Sequence, residues 1–379
     1  MKSKVFFMDL RANSRRTVMQ KYQDLISRLK PEAVIAGKDL TAVKLHFGEE
    51  GNLSFIRPPF VRPVVKTVRD LGGVPFLTDC NTLYVGSRSN SADHLSVAVK
   101  HGFGYAAMEA PVIIADGIYG GNHREVALNL PDCPVAYIGA DIAAAEAIIT
   151  LTHFKGHELT GFGGVLKNLG MGCAARAGKL FQHSNVSPTV RNNRCLGCGV
   201  CVKRCPAGAI TLGDNPDREG KSKRIAVKDD SRCIGCGDCI IACNFGAMRL
   251  NFDAQSSEAM RRMVAHAKAA LTGKENKSLH ISFVTQVSPA CDCNPFNDAP
   301  IVPDLGILAG LDPVAVDSAA VDLVNAAPVL HNSQLGQHCG KAGLDKFKTV
   351  YPNVDWEVQL DFAQEIGLGS RRYTLETVD

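Results

Sequence analysis

Short apolar runs bounded by turn residues alternate with amphipathic segments along the first half of the chain. Residues 41–47, 74–79, 111–116, 135–138 and 147–152 read as buried strands. Between them, residues 16–29, 60–71 and 92–101 repeat apolar side chains every three or four positions and read as helices. Alternation of this kind predicts βαβ units: an α/β fold whose largely parallel sheet carries helices on both faces. The same texture returns later, with a helix over 257–272 and a strand over 279–287. A further helix is expected to begin at Asp312-Pro313, where an N-cap acid precedes proline at the first helical position.

Between residues 191 and 250 the pattern breaks, and cysteine, glycine and charge dominate. Neither flank alone carries a complete α/β set. The simplest organisation is therefore one discontinuous α/β domain, residues 1–190 and 251–379, interrupted by a small α+β insert at 191–250. At 45% hydrophobic and 21% charged, the 379-residue chain has the composition of a soluble globular protein. It holds no apolar stretch of about 18 residues, which argues against a membrane span. A net charge of +4 argues against nucleic acid or an anionic membrane as the main partner. Only four consecutive apolar residues, Val5 to Met8, precede Asp9, fewer than the about 7–15 of a secretory signal. A cytoplasmic location is expected, where clustered cysteines serve as metal ligands and not as disulfides.

Eight of the fourteen cysteines lie in that middle segment. Cys195-x2-Cys198-x2-Cys201-x3-Cys205-Pro206 is followed by Cys233-x2-Cys236-x2-Cys239-x3-Cys243, a duplication with the spacing of bacterial two-cluster ferredoxins. In that arrangement the fourth cysteine of each run ligates the other cluster. One 4Fe–4S cluster is thus assigned to Cys195, Cys198, Cys201 and Cys243, the second to Cys233, Cys236, Cys239 and Cys205. Gly197, Gly199, Gly235 and Gly237 leave room for the backbone to wrap a cluster and aim N–H groups at its sulfurs. Four-thiolate zinc sites use paired CxxC units, so iron is the better match. The segment holds eleven Lys/Arg against six Asp/Glu, an excess that offsets the negative charge of two clusters.

More than three hundred residues lie outside this conduit, and three glycine-rich polar segments stand at apparent strand ends, where parallel α/β sheets bind ligands. Lys44 and His46 belong to the first; Lys155, His157, Gly161, Gly163 and Gly164 to the second; Lys167, Asn168, Gly170, Gly172 and Cys173 to the third. Their glycines let backbone N–H groups approach a ligand, and their Lys and His can bind an anion or move protons. His153 and His157 are four apart, but Gly156 between them disfavours the regular helix that would pair them as metal ligands. Neither a Walker A loop nor a GxGxxG fingerprint is present, so ATP and NAD lack support. Cys291-Asp292-Cys293 places two thiols one residue apart; with Cys173 and a histidine they are candidates for a third metal or iron–sulfur centre.

The run Leu151-Thr152-His153-Phe154-Lys155-Gly156-His157-Glu158, with Gly161-Phe162-Gly163-Gly164, Lys167-Asn168-Leu169-Gly170-Met171-Gly172-Cys173, Cys291-Asp292-Cys293-Asn294-Pro295 and Asp312-Pro313-Val314-Ala315-Val316-Asp317, resembles the family called domain of unknown function 362, in the form that carries a two-cluster ferredoxin insert. That family is distantly similar in fold to the N-terminal part of nickel-dependent lactate racemases. The resemblance implies an α/β site for a small anionic organic molecule. The expectation is an iron–sulfur oxidoreductase that takes low-potential electrons from a soluble carrier or redox partner protein. Two 4Fe–4S clusters would pass them to a metal or anionic-substrate site built from Lys44, His46, Lys155, His157 and Lys167. Alternatives are a non-catalytic electron-transfer subunit that docks a partner enzyme, and a metal or cluster assembly factor; self-association is left open.

Overall fold

The computed structural model describes residues 2–84, 86–183, 188–205, 207–216, 222–233, 238–243, 245–249, 256–341 and 343–378. Eight strands form the main sheet: β1 (Ser3–Asp9), β2 (Leu40–Lys44), β3 (Val74–Asp79), β4 (Val112–Ile114), β5 (Ala147–His153), β6 (Ser278–Val284), β7 (Gly306–Gly310) and β8 (Tyr373–Thr377). Their order is β8–β1–β7–β6–β5–β2–β3–β4. Only β7 runs against its neighbours; the remaining contacts are parallel. Strands from both ends of the chain share this sheet, β5 pairing with β6 across an intervening connection.

Alternation along the strands sends successive side chains to opposite faces. Ala42, Phe76 and Ile148 enter one apolar layer, their neighbours Val43, Leu77 and Ile149 the other. The second layer is closed by helices α1 (Val18–Arg28) and α2 (Pro58–Asp70). Val61, Val64, Val65 and Val68 form the buried face of α2 at helical spacing, each burial worth about 2 kcal/mol. Thr17 starts α1 with a capping box: its hydroxyl accepts from the Gln20 N–H, and Gln20 Oε1 accepts from the Thr17 N–H at 2.8 Å. The first layer is covered by α3 (Val165–Gly170), α4 (Ser256–Leu271), α5 (Pro313–Ala326) and α6 (Glu357–Glu365). Asp312 caps α5 as expected, accepting from Val314 N–H at 2.9 Å and Ala315 N–H at 3.0 Å.

One expected sheet strand lies elsewhere. Residues 135–138 fall in Cys133–Gly139, which pairs antiparallel with His123–Leu130 in a separate hairpin. The two strands are joined by only two residues, so local pairing wins over a place in the sheet. Residues 92–101 divide into the helix Ser91–Ala98 and a wider turn, Val99–Phe103, in which Gly102 takes φ 91°. Between β5 and β6 the cysteine-rich segment carries two-stranded pairs, Ile210–Asp214 with Arg224–Lys228 and Thr189–Val190 with Met248–Arg249. Its small apolar core includes Cys195, Cys201, Cys239, Ile210 and Ile225, and reaches Leu83 and Leu180 of the larger body. Among the described residues no helix is long and apolar enough to cross a membrane.

Candidate functional site

Chain order in the sheet runs β2, β3, β4 in one direction and then returns to β5 on the other side of β2. Such a reversal opens a crevice beyond the carboxyl ends of the strands. A cavity of about 820 Å³ lies there, within the range of small-molecule sites. Its walls include Lys44, His46, Lys155, His157, Lys167, Cys291 and Cys293, the residues expected from separate loops.

Lys44, the last residue of β2, is fully buried. Its Nζ pairs with Asp79 Oδ1 at 3.0 Å, at the end of β3, and donates to Asn168 Oδ1 at 2.7 Å. The Asn168 amide in turn donates to Thr152 Oγ1 at 3.0 Å and to the Leu151 carbonyl at 3.1 Å. Lys44 is thus a clasp between three strand ends, not the freely disposed anion binder its position beside His46 predicted. Gly172 has no side chain because a Cβ would meet Lys44 Nζ and the Asn168 carbonyl.

The sharper chemistry gathers on the loop after β6. Cys291 to Asn294 form a turn closed by the Asn294 N–H on the Cys291 carbonyl at 3.0 Å. Asp292 at its centre is fully buried and takes His153 Nδ1 at 2.9 Å on both oxygens and Lys155 Nζ at 3.2 Å. Burial pushes the Asp292 carboxyl up, but His153 and Lys155 more than reverse this and hold it well below the usual carboxylate range. His153 is therefore an anchor for Asp292 and not a metal partner of His157. Lys155 is likewise committed, also donating to the His153 carbonyl at 2.9 Å.

Gly156 lets the hairpin of Lys155–His157 and Gly161–Gly163 lie flat on this loop. Its N–H donates to the Ser288 carbonyl at 2.8 Å, and any Cβ would strike the Pro289 backbone. The contact brings His157 to the cysteine turn. His157, Cys291 and Cys293 each offer a donor atom, all within 4.8 Å of one another. A soft divalent cation fits such a set by donor type. Yet His157 Nδ1 already accepts from the N–H groups of Leu159 at 3.2 Å and Thr160 at 3.3 Å. With Nδ1 engaged as an acceptor, the ring carries N–H on Nε2 and presents a donor, not a lone pair, to the sulfurs.

Lys167 Nζ stands 3.7 Å from Cys291 Sγ. The Cys293 thiol, hydrogen-bonded to its neighbour, outweighs burial together with Lys167 and His157, so Cys291 lies well below the ordinary thiol value. The same Cys291 contact, with burial, drives Cys293 well above it. Burial would depress the Lys167 ammonium, but the two sulfurs raise it. The expected third partner does not join them: Cys173 is fully buried beneath α3, its Sγ 3.7 Å from the Asn168 carbonyl, and burial raises its thiol to about 11.

Across the cavity, His46 Nδ1 accepts from the Gly48 N–H at 3.0 Å, leaving Nε2–H for a ligand. Burial, with Arg88 nearby, holds the imidazole well below its usual value and so neutral. Sequence reasoning missed Arg88, Glu49 and Asp79, although all three are buried in this wall; Arg88 Nε meets Glu49 Oε2 at 3.0 Å. The glycine segments divide. Gly164 and Gly172 line the cavity. Gly161, at φ 74°, makes room for Trp356, and Gly170 for the α4 backbone at Met263, so both serve packing. Gly163 lies against the stems of Lys155 and Lys167.

In the cysteine-rich segment, Cys195, Cys198, Cys201 and Cys243 line one small hollow with Leu212, Ala226 and Met248. Burial raises the Cys201 thiol, and Cys195, Cys198 and Cys243 beside it add to the effect. Backbone N–H groups point at the sulfurs: Ala226 at Cys195 (3.4 Å), Ala247 at Cys243 (3.2 Å) and Ala209 at Cys205 (3.2 Å). Gly197 and Gly199 hold φ 62° and 73° around this hollow, left-handed conformations open to glycine. Cys205, Cys233 and Cys239 are described, while Cys236 lies outside the described residues, with Gly235 and Gly237.

A family model described as Domain of unknown function (DUF362) matches residues 41–322. No curated protein sequence matches the chain. Among solved structures, the lactate racemase apoprotein from Thermoanaerobacterium thermosaccharolyticum is similar at 9% identity and a TM-score of 0.42, covering 86% of this chain and 58% of that one. A protein from Thermotoga maritima is similar at 11% identity and a TM-score of 0.38, covering 81% and 59%. The chain thus spans less than two thirds of either.

Proposed function

The chain belongs to the DUF362 family, and from its two sites we propose that it is an iron–sulfur oxidoreductase, passing low-potential electrons from a soluble carrier through two 4Fe–4S clusters to the cavity at the strand ends. One observation carries the reading. Cys243, from the second cysteine run, meets Cys195, Cys198 and Cys201 of the first around a single hollow, the crossed set that two-cluster spacing requires. The surroundings fit the group: N–H donors aimed at sulfur, left-handed glycines, and a largely apolar lining. When bound, each cluster stores and transfers one electron.

The residues of this chain do the rest. Leu83 belongs both to the apolar core around the cysteines and to the wall of the cavity, so the two sites share a side chain. Arg204 stacks over Tyr119 at 4.1 Å and ties the cysteine-rich segment to the body. In the cavity, Lys167 and the Nε2–H of His46 are positioned to bind an anion and to supply a proton. The Lys44–Asp79 and Lys155–Asp292 pairs hold the strand ends in place.

Anaerobic purification with iron, sulfide and EPR analysis tests this reading. About eight irons per chain are expected. Cys243→Ala should leave one cluster with three ligands and convert part of its signal to a three-iron type. Colourless protein that holds zinc in place of iron and sulfide overturns the proposal.

A further inference from the structure

The turn at Cys291 has a geometry that cluster ligation does not use. Two thiols, one residue apart, face each other on the cavity wall with an ammonium 3.7 Å from one of them. Their donor atoms lie within 4.8 Å, so side-chain rotation can bring the sulfurs to the about 2.05 Å of a disulfide. Asp292, locked between them by His153 and Lys155, keeps the turn from opening when the bond breaks. The neighbouring His157 offers N–H to sulfur, which suits a reactive thiol better than a metal ligand.

Resting on the electron-transfer reading above, we propose that Cys291 and Cys293 form a reversible dithiol–disulfide couple on the cavity wall, which collects as a pair the electrons that the clusters deliver singly. Reduction adds two electrons and one proton to the Cys291–Cys293 bond, breaks it, and leaves Cys291 as thiolate and Cys293 as thiol. The two clusters, when bound, would supply one electron each. The Lys167 ammonium, 3.7 Å from Cys291 Sγ, keeps its proton and stabilises that thiolate, and the proton on Cys293 comes from solvent in the cavity. A disulfide across a single intervening residue closes a small strained ring, and strained disulfides have the higher potentials of catalytic couples. Electrons from low-potential clusters therefore run downhill to it.

The test is an anaerobic reductive titration of the holoprotein after mild oxidation with diamide, read by optical bleaching of the clusters and by mass mapping of alkylated thiols. The wild type should take up about four electrons per chain, one for each cluster and two for the disulfide. Cys293→Ser and Cys291→Ser should each take up about two, with cluster EPR signals unchanged. Mapping should show the 291–293 peptide unalkylated before reduction and doubly alkylated after it. Equal uptake by wild type and variants overturns the couple. So does a stoichiometric non-cluster metal that is lost with Cys291→Ser. If the clusters are absent, the wild type takes up two electrons and the variants none: the electron-delivery reading then fails while the couple stands.

Discussion

Replacing Asp292 by Asn removes the charge at the centre of the cysteine turn while keeping its shape. The Lys155 ammonium, whose side chain is 9% exposed, then loses the carboxylate 3.2 Å away and keeps only the His153 carbonyl. Breaking a buried pair by removing one partner costs about 3–5 kcal/mol. The retained carbonyl contact and the ability of Asn Oδ1 to accept from His153 set the expectation at the low end, about 3 kcal/mol. At roughly 2 °C per kcal/mol for a chain of this size, the melting temperature falls by about 6 °C. The single tryptophan, Trp356, packed 5.8 Å from Phe162, reports the transition in an anaerobic fluorescence melt. The pH dependence follows from the depressed carboxyl. Asp292 contributes its stability above the unfolded carboxyl value of about 4, and the contribution is lost as pH falls toward the folded value. The gap between Asp292→Asn and wild type should be full at about pH 7 and shrink below about pH 4. Adding Lys155→Met should restore part of the loss, since it removes the orphaned charge. A gap under about 1 kcal/mol near neutrality, or one that does not narrow in acid, would refute the anchoring of the turn through Asp292.

Three other outcomes follow from the same wall of the cavity. Iodoacetamide should modify Cys291 before Cys293, at a rate that stays level as pH falls through the ordinary thiol range near 8.5. Lys167→Met removes one stabilising charge, so the Cys291 thiol rises and its labelling near neutrality slows by about tenfold per unit of rise, as read by peptide mass. Gly164→Ala places a Cβ 2.6 Å from Asp317 Cγ and displaces the carboxylate that accepts from the N–H groups of Val165 at 2.7 Å and Leu166 at 2.9 Å. Overpacking and the lost bonds together cost about 3 kcal/mol, measured as a melting shift; an unchanged melt would show that Asp317 does not hold the start of α3.

Periodicity made most of the central architecture legible. Val74–Asp79 is recovered with its own ends, and β2, β5, β6, α2 and α4 within a few residues, because each is a strongly apolar run or a clear stripe. β8 was not visible: it forms the edge of the sheet and its side chains are all half-buried or exposed, so it carries little apolar signal; β1 is the short apolar run Val5-Phe6-Phe7-Met8, which on its own does not announce a strand. The hairpin of residues 123–139 shows a second limit, since alternation announces a strand but not its partner. In the site, glycine-rich loops at strand ends and the paired cysteines identified the cavity wall. What they could not show is which charges become buried. Glu49, Asp79 and Arg88 look like solvated residues in the sequence, and only the fold gathers them around His46. Cys173 failed for the opposite reason: adjacency to a glycine segment does not say whether a side chain faces the cavity or the core.

The placement of the cysteine-rich segment has a physical logic of its own. The connection from β5 to β6 contains all of it, and these two neighbouring strands end in the loops that carry His153, Lys155 and His157 on one side and Cys291 and Cys293 on the other. A parallel crossover must travel back along the sheet before the next strand begins, so extra residues in it need not disturb strand pairing. The elaboration stays close to the site for the same reason, because both ends of the crossover are fixed in the sheet. Leu83, from the loop after β3, closes the remaining gap. Moving the cysteines to a terminal extension would preserve their spacing but lose this tether, and with it the shared wall through which electrons would reach the cavity.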